Sequence, residues 1–322
     1  MICVNAICLR CMQALRLTHV NADSRGRIIV ALVHAGSAGG FREGDTMRDI
    51  LVYADDFQEW NHGVEYAARL AAAERAALTA LFVYPTPAYM MPACTTPALL
   101  AAMVERTQRI EQEALAAEGR FLEWTRGIGV AKSSWHVAEG FPPEALARLG
   151  NWHDLLVFER NDEMPWESAG DLGALILRIG LPCIVVPPGS THDPGEIECV
   201  VLGWNGTPEA LRSAYAARPW LRRAKRVVVL SGRQRDPSGE VDWHPPLDVL
   251  TYLKRHDIEH EVQQLSADDA DAGPALLAAA AAFRADLLVM GAYGRNRFSE
   301  WVFGGATRHV LRNARIPVLF LH

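Results

Sequence analysis

The sequence predicts an α/β protein: two tandem, doubly wound domains, each built on a five-stranded parallel sheet. Three observations predict it. Short apolar runs that read as buried strands alternate with helical segments of about 10 to 20 residues. The same elements recur in the same order in both halves, and 322 residues is about twice a typical domain.

In the first half, Met47 leads into a strand at Asp49–Ala54, followed by a polar turn with Asp55 and Asp56 and an alanine-rich helix near 60–76. A strand at Leu78–Tyr84 comes next, then a helix, a strand and a short helix before the apolar run Asp154–Phe158. The half closes on Leu181–Val186. Residues 190–195, which include Asp193 and Pro194, read as a linker. The second half repeats the design: a strand at Cys199–Gly203, an alanine-rich helix near 207–224, a strand at Arg226–Ser231, and the pair Asp286–Met290 and Ile316–Leu321. Asp-Leu-Leu-Val-Phe at 154–158 matches Asp-Leu-Leu-Val-Met at 286–290. The expected domains are therefore 47–189 and 196–322. Their last strands, around Ile184–Val186 and Val318–Leu321, are apolar edges that mutual antiparallel pairing would cover.

Residues 1–46 read differently. They hold five arginines against three acids, and neither a helical nor a strand period runs through them. Arg10 and Arg16 interrupt what a secretory signal would need as an apolar stretch. The segment is expected to be a poorly ordered extension, or to precede a true start at Met47.

Charged residues are 22% of the chain and the formal net charge is −6, without the basic footprint of a nucleic-acid binder. No run approaches the ~20 apolar residues that span a bilayer, so a cytoplasmic protein is expected, with no membrane or nucleic-acid partner. Of six cysteines, three crowd the first eleven residues. Cys8 and Cys11 lack a second ligand pair, so no metal site is expected and reduced thiols are the simpler reading.

The stretch that carries chemistry is 286–322. After the strand ending at Met290 come Gly291, Gly294, Gly304 and Gly305, and then Thr307 in a helix that runs through His309. Free backbone N–H groups at a helix start, facing a loop of little side-chain bulk, form an anion cradle. Glycines after a strand can equally serve only to permit a tight turn. Arg295 and Arg297 stand among them as candidate phosphate charges. In the first half the matching positions are Glu159, Asp162 and Ala169, and Glu163 and Glu167 add further negative charge that would repel phosphates.

The spacing Gly291-x2-Gly294-x9-Gly304 resembles the nucleotide-binding signature of the universal stress protein family, whose fold is Rossmann-like. Gly305 stands where that family usually has a hydroxyl residue, which returns only at Thr307. The resemblance implies ATP or ADP as ligand, with Mg²⁺ a candidate companion, and contacts at Gly203, Asn205, Gly232, Met290, Gly291, Gly294, Gly304, Gly305 and Thr307. Asn205 replaces the family's usual Asp, and Asn-Gly before Thr207-Pro208-Glu209 also reads as a turn and helix cap. The resemblance further implies a nonenzymatic role in stress response through an unidentified protein client, an intramolecular pseudo-dimer of the two domains and a candidate further homodimer. Two alternatives stay open: a nucleotide-independent interaction module, and an adenylyl-transferring enzyme. Against the latter, no lysine lies in the glycine loop and no Gly-x4-Gly-Lys-Ser/Thr motif is present. No catalytic residue is legible, and whether bound ATP is hydrolysed is left open.

Overall fold

The structure, a computed structural model, describes residues 21–22, 28–29, 47–86, 96–161, 169–232, 248–265, 272–292 and 305–322. Residues 1–44 and 45–322 form two separate compact units. In the first unit β1 (Asn21–Ala22) and β2 (Ile28–Ile29) pair antiparallel, Asn21 opposite Ile29. Two-residue strands are too short to leave an alternating pattern in the sequence. The expected poor order of residues 1–46 concerns a segment that otherwise lies outside the described residues.

The second unit opens with β3 (Asp49–Ala54), α1 (His62–Glu74), β4 (Ala77–Tyr84), α2 (Pro97–Ala116), α3 (Glu118–Ile128), β5 (Lys132–Glu139), α4 (Pro142–Gly150), β6 (Leu155–Glu159), α5 (Ala169–Ile179) and β7 (Cys183–Val186). It continues with β8 (Cys199–Trp204), α6 (Pro208–Ala216), α7 (Arg218–Arg223), β9 (Arg226–Ser231), α8 (Val249–Arg255), β10 (Glu261–Gln264), α9 (Ala272–Ala282), β11 (Leu287–Gly291), α10 (Gly305–Asn313) and β12 (Val318–Leu321). The single helix expected near 207–224 is two helices. Pro219 lies in the first turn of α7, where its ring and missing N–H prevent continuation from α6.

The strand order is β10-β9-β8-β11-β12-β7-β6-β3-β4-β5, one ten-stranded sheet. Within residues 49–186 and again within 199–321 the strands are parallel, with the same internal order. The two sets meet at β7 and β12, which pair antiparallel with Val318 opposite Val185 and Phe320 opposite Cys183. Each of these apolar strands thereby satisfies the edge groups of the other and hides its side chains.

Alternation along the strands feeds two cores, one on each sheet face. Ile50, Val52, Val200 and Leu202 face α1, α3, α6, α7 and α8, burying Leu70, Phe121, Ala214, Trp220 and Leu253. Leu51, Tyr53, Cys199 and Val201 face α4, α5, α9 and α10, burying Leu146, Ile176, Leu276 and Val310. Near-continuous apolar runs are what a parallel sheet covered on both faces demands. At the N-terminal strand ends the repeated aspartates do the same work twice. Asp154 Oδ2 accepts from the N–H groups of Arg48 and Asp49, at 2.8 and 3.1 Å. Asp286 Oδ2 accepts from Glu198 and Cys199, at 2.9 and 2.8 Å.

Candidate functional site: the crevice at the ends of β8 and β11

In the C-terminal half the sheet winds away in opposite directions from β8 and β11, because β9 lies beyond β8 and β12 beyond β11. The crevice outside the carboxyl ends of two such strands is where doubly wound sheets bind ligands. Gly203 and Met290 are register partners there. Gly203 packs beneath Leu276 of α9, where an added Cβ would come within 3.2 Å of Leu276 Cδ2.

The loop after β8 is fixed by its own side chains. Asn205 Oδ1 accepts from the hydroxyl of Thr207 at 2.9 Å and from its N–H at 3.3 Å. Thr207 is the N-cap of α6: its Oγ1 accepts from the Ala210 N–H at 3.3 Å, and Pro208 fills the first turn. Gly232 donates its N–H to the Trp204 carbonyl at 2.8 Å. Met290 is buried, and its carbonyl accepts from the Ser213 hydroxyl at 2.9 Å. The polar groups given for these three expected contact residues thus serve the protein itself.

Gly291 is demanded by packing. A Cβ there would lie 2.5 Å from the Ala210 nitrogen and 2.7 Å from the Glu209 carbonyl carbon, so only glycine lets the N-terminus of α6 settle on the end of β11. Glu209 itself is buried, and its Oε2 has no hydrogen-bond partner among the described residues. Sequence reading placed Glu209 only in the helix cap and did not single out Ser213, which is also buried. The only sequence signal is that both lie one turn apart on α6, following the Asn-Gly turn.

Beyond the loop, α10 begins at Gly305, where an added Cβ would meet nothing within 4 Å among the described residues. The described residues therefore leave the Gly305 position of this helix uncrowded. Thr307 is buried two residues further on. His309 packs against Gly273 of α9, and His322 Nδ1 lies 2.9 Å from the Ala292 carbonyl, so both histidines are occupied in structural contacts. The expected contacts Gly294 and Gly304, the arginines Arg295 and Arg297, and the first half's Asp162, Glu163 and Glu167 lie outside the described residues.

The corresponding end of the first half has a different character. Glu159 Oε2 accepts from the Gly63 N–H at 3.1 Å, and Glu159 Oε1 stands 3.5 Å from His62 Nδ1. Asp55 accepts from Asn61 at 2.6 Å, while Asn61 Oδ1 caps α1 through the Val64 N–H at 2.8 Å. Burial pushes the Glu159 carboxyl above the usual range, against the bond from Gly63 and the nearby His62. Among the described residues no group of three or more His, Cys, Asp or Glu side chains is placed to hold a metal ion, and no helix is long and apolar enough to cross a membrane.

A doubly wound α/β sheet with a glycine-rich loop between a switch-point strand and a helix defines a Rossmann-like protein. Residues 199–322 match the model of the Universal stress protein family. The fold extends over both halves in solved structures. A universal stress protein from Archaeoglobus fulgidus DSM 4304 is 13% identical, with 85% of this chain and 95% of that chain covered at a TM-score of 0.60. A functionally unknown protein from Pseudomonas aeruginosa PAO1 is 16% identical, with 85% and 92% covered at a TM-score of 0.54. No curated protein matches the chain.

Proposed function

We propose that the chain is a tandem universal stress protein that binds one adenine nucleotide, ATP or ADP, in its C-terminal half and acts in stress response by a nonenzymatic, nucleotide-responsive mechanism in the cytoplasm. The observation that carries this reading is the start of α10: at Gly305 an added Cβ would meet nothing within 4 Å among the described residues, and the glycine-rich sequence before it leaves β11 at the switch point with β8. Backbone N–H groups and the helix dipole favour phosphate there. The described residues fit a nucleoside as well. Glu209 has a buried oxygen that lacks a donor among them, and ribose hydroxyls or an exocyclic amine supply donors. In this reading Arg295 and Arg297 balance the phosphate charge and Mg²⁺ enters only as the phosphates' companion. The halves act as an intramolecular pseudo-dimer across the β7–β12 seam.

One observation favours a second reading, a nucleotide-independent interaction module. Asn205, Gly232 and Met290 direct the polar groups described above to the protein itself. Titration calorimetry separates the two. ATP binds once per full-length chain, and Gly294→Asp, which adds a Cβ and a negative charge to the loop, lowers affinity at least about tenfold. Asp162→Gly in the first half leaves it unchanged. Two sites per chain, or full affinity in a folded Gly294→Asp protein, would remove the basis for this assignment; hydrolysis above background would end the nonenzymatic part.

A further inference from the structure

Asn205 and Gly206 form the sole Asn-Gly pair in the chain. Both are exposed, in the loop that leads from β8 into α6 at the crevice. Gly206 adopts a φ of +77°, a left-handed conformation that favours glycine. As glycine it puts no side chain over its own backbone nitrogen, and among the described residues that N–H makes no hydrogen bond.

The Asn205 side chain is turned forward along the chain. Its Oδ1 accepts from the Thr207 N–H at 3.3 Å and from the Thr207 hydroxyl at 2.9 Å, closing a ring that contains both the Asn205 Cγ and the Gly206 nitrogen. The same two donors stand where negative charge would develop. Attack of the Gly206 nitrogen on Cγ turns Oδ1 into an oxyanion, and donors already in place stabilise such a charge. The positive end of the α6 dipole lies directly beyond, since Thr207 is the helix N-cap.

From this we infer that Asn205 is a site of spontaneous intramolecular deamidation, with water as the only co-reactant. The Gly206 N–H gives its proton to hydroxide and a bond forms between that nitrogen and Cγ. The Cγ–Nδ2 bond breaks, and the side-chain nitrogen leaves as ammonia with a proton taken from water. The resulting cyclic imide takes up water at either carbonyl, which opens the ring to aspartate or isoaspartate; nothing is oxidised or reduced. The product carries a carboxylate at the end of β8 where the encoded residue is an amide. Its isoaspartate form also lengthens the backbone by a methylene immediately before the cap of α6.

Two other asparagines serve as internal controls. Asn61 precedes His62, and its amide is tied at both ends, Nδ2 donating to Asp55 at 2.6 Å and Oδ1 accepting from Val64 at 2.8 Å. Asn313 precedes Ala314 and donates to the His309 carbonyl at 2.8 Å.

The test is peptide mapping by mass spectrometry of the full-length chain, incubated at neutral and at mildly alkaline pH. Conversion at Asn205 should outpace that at Asn61 and Asn313 and should quicken with pH, because hydroxide generates the nucleophile. Gly206→Ala should slow it at least about tenfold, since a Cβ crowds the attacking nitrogen and disfavours the required φ. Thr207→Val should slow it about tenfold, less than the loss of a donor costs in an enzyme's oxyanion hole because the Thr207 N–H remains. Thr207→Ser, which keeps both donors, should match the parent. The decisive comparison is with the same chain unfolded in urea, where conversion no faster than in the folded protein is expected. Asn205 that stays intact when folded but converts when unfolded would show that its hydrogen bonds lock the amide, and would overturn the inference. So would an unchanged rate in Gly206→Ala.

Discussion

Gly63 and Glu159 meet so closely that a Cβ on Gly63 would lie 2.6 Å from the Glu159 nitrogen and 3.0 Å from its Cβ. The C-terminal half keeps this contact with the partners exchanged. There the helix carries Glu209, at the position of Gly63 relative to its N-cap, and the strand carries Gly291, at the position of Glu159. One side of each helix–strand contact must be glycine, and the repeat satisfies the requirement from opposite sides. As a result the first crevice ends on a carboxylate at the strand, whereas the second leaves its strand end free of side chain.

Gly63→Ala and Gly291→Ala should therefore both destabilise the protein. Overpacking against backbone costs about 1–3 kcal/mol, and the expected loss is equal within error with and without ATP. Thermal melts of the two variants check this. If Gly291→Ala melts like the parent and only loses ATP, Gly291 serves the ligand rather than the packing.

The exchange also sets a pH dependence. The Glu159 carboxyl is raised above its ordinary range by burial, so the folded state binds its proton more tightly than the unfolded chain does. Its contribution to stability consequently falls as pH rises from the unfolded value, about 4.3, through the folded one, and the full cost is present at neutral pH. Glu159→Gln removes the titration and keeps an oxygen to accept from Gly63. Its melting temperature should exceed the parent's at neutral pH, with the gap closing as pH falls toward 4.3 or about that value. A gap independent of pH would refute this.

Arg160 ties two segments more than 150 residues apart in the chain, through bonds to Leu311 and Ala314. Replacing it with Met should leave both carbonyls without their charged donor and cost about 1.5–3 kcal/mol. Hydrogen exchange should rise first in the last turn of α10 and along the β7–β12 pair. Exchange that rises uniformly, with no local excess there, would argue against a role at the seam.

What the sequence determined by itself was the local and repeated part of the structure. Apolar runs such as Leu287–Met290 read as buried strands because a sheet covered on both faces needs no polar alternation, and the Asp154 and Asp286 segments match because they begin equivalent strands. The glycine spacing of 291–304 and the acidic residues 162–167 of the first half are sequence readings that fall mostly outside the described residues. Tertiary structure decided what depends on approach between distant segments. The antiparallel pairing of β7 with β12, expected from their apolar edges, joins two five-stranded sheets into one of ten strands, and tertiary structure fixed its register, with Val318 opposite Val185. The same approach drew Arg160 to the end of α10, and the closeness of helix and strand made Gly63 and Gly291 obligatory on opposite sides of one contact. Periodicity and propensity are properties of neighbouring residues, whereas a Cβ clash or a cross-chain hydrogen bond exists only once the sheet has brought its partners together.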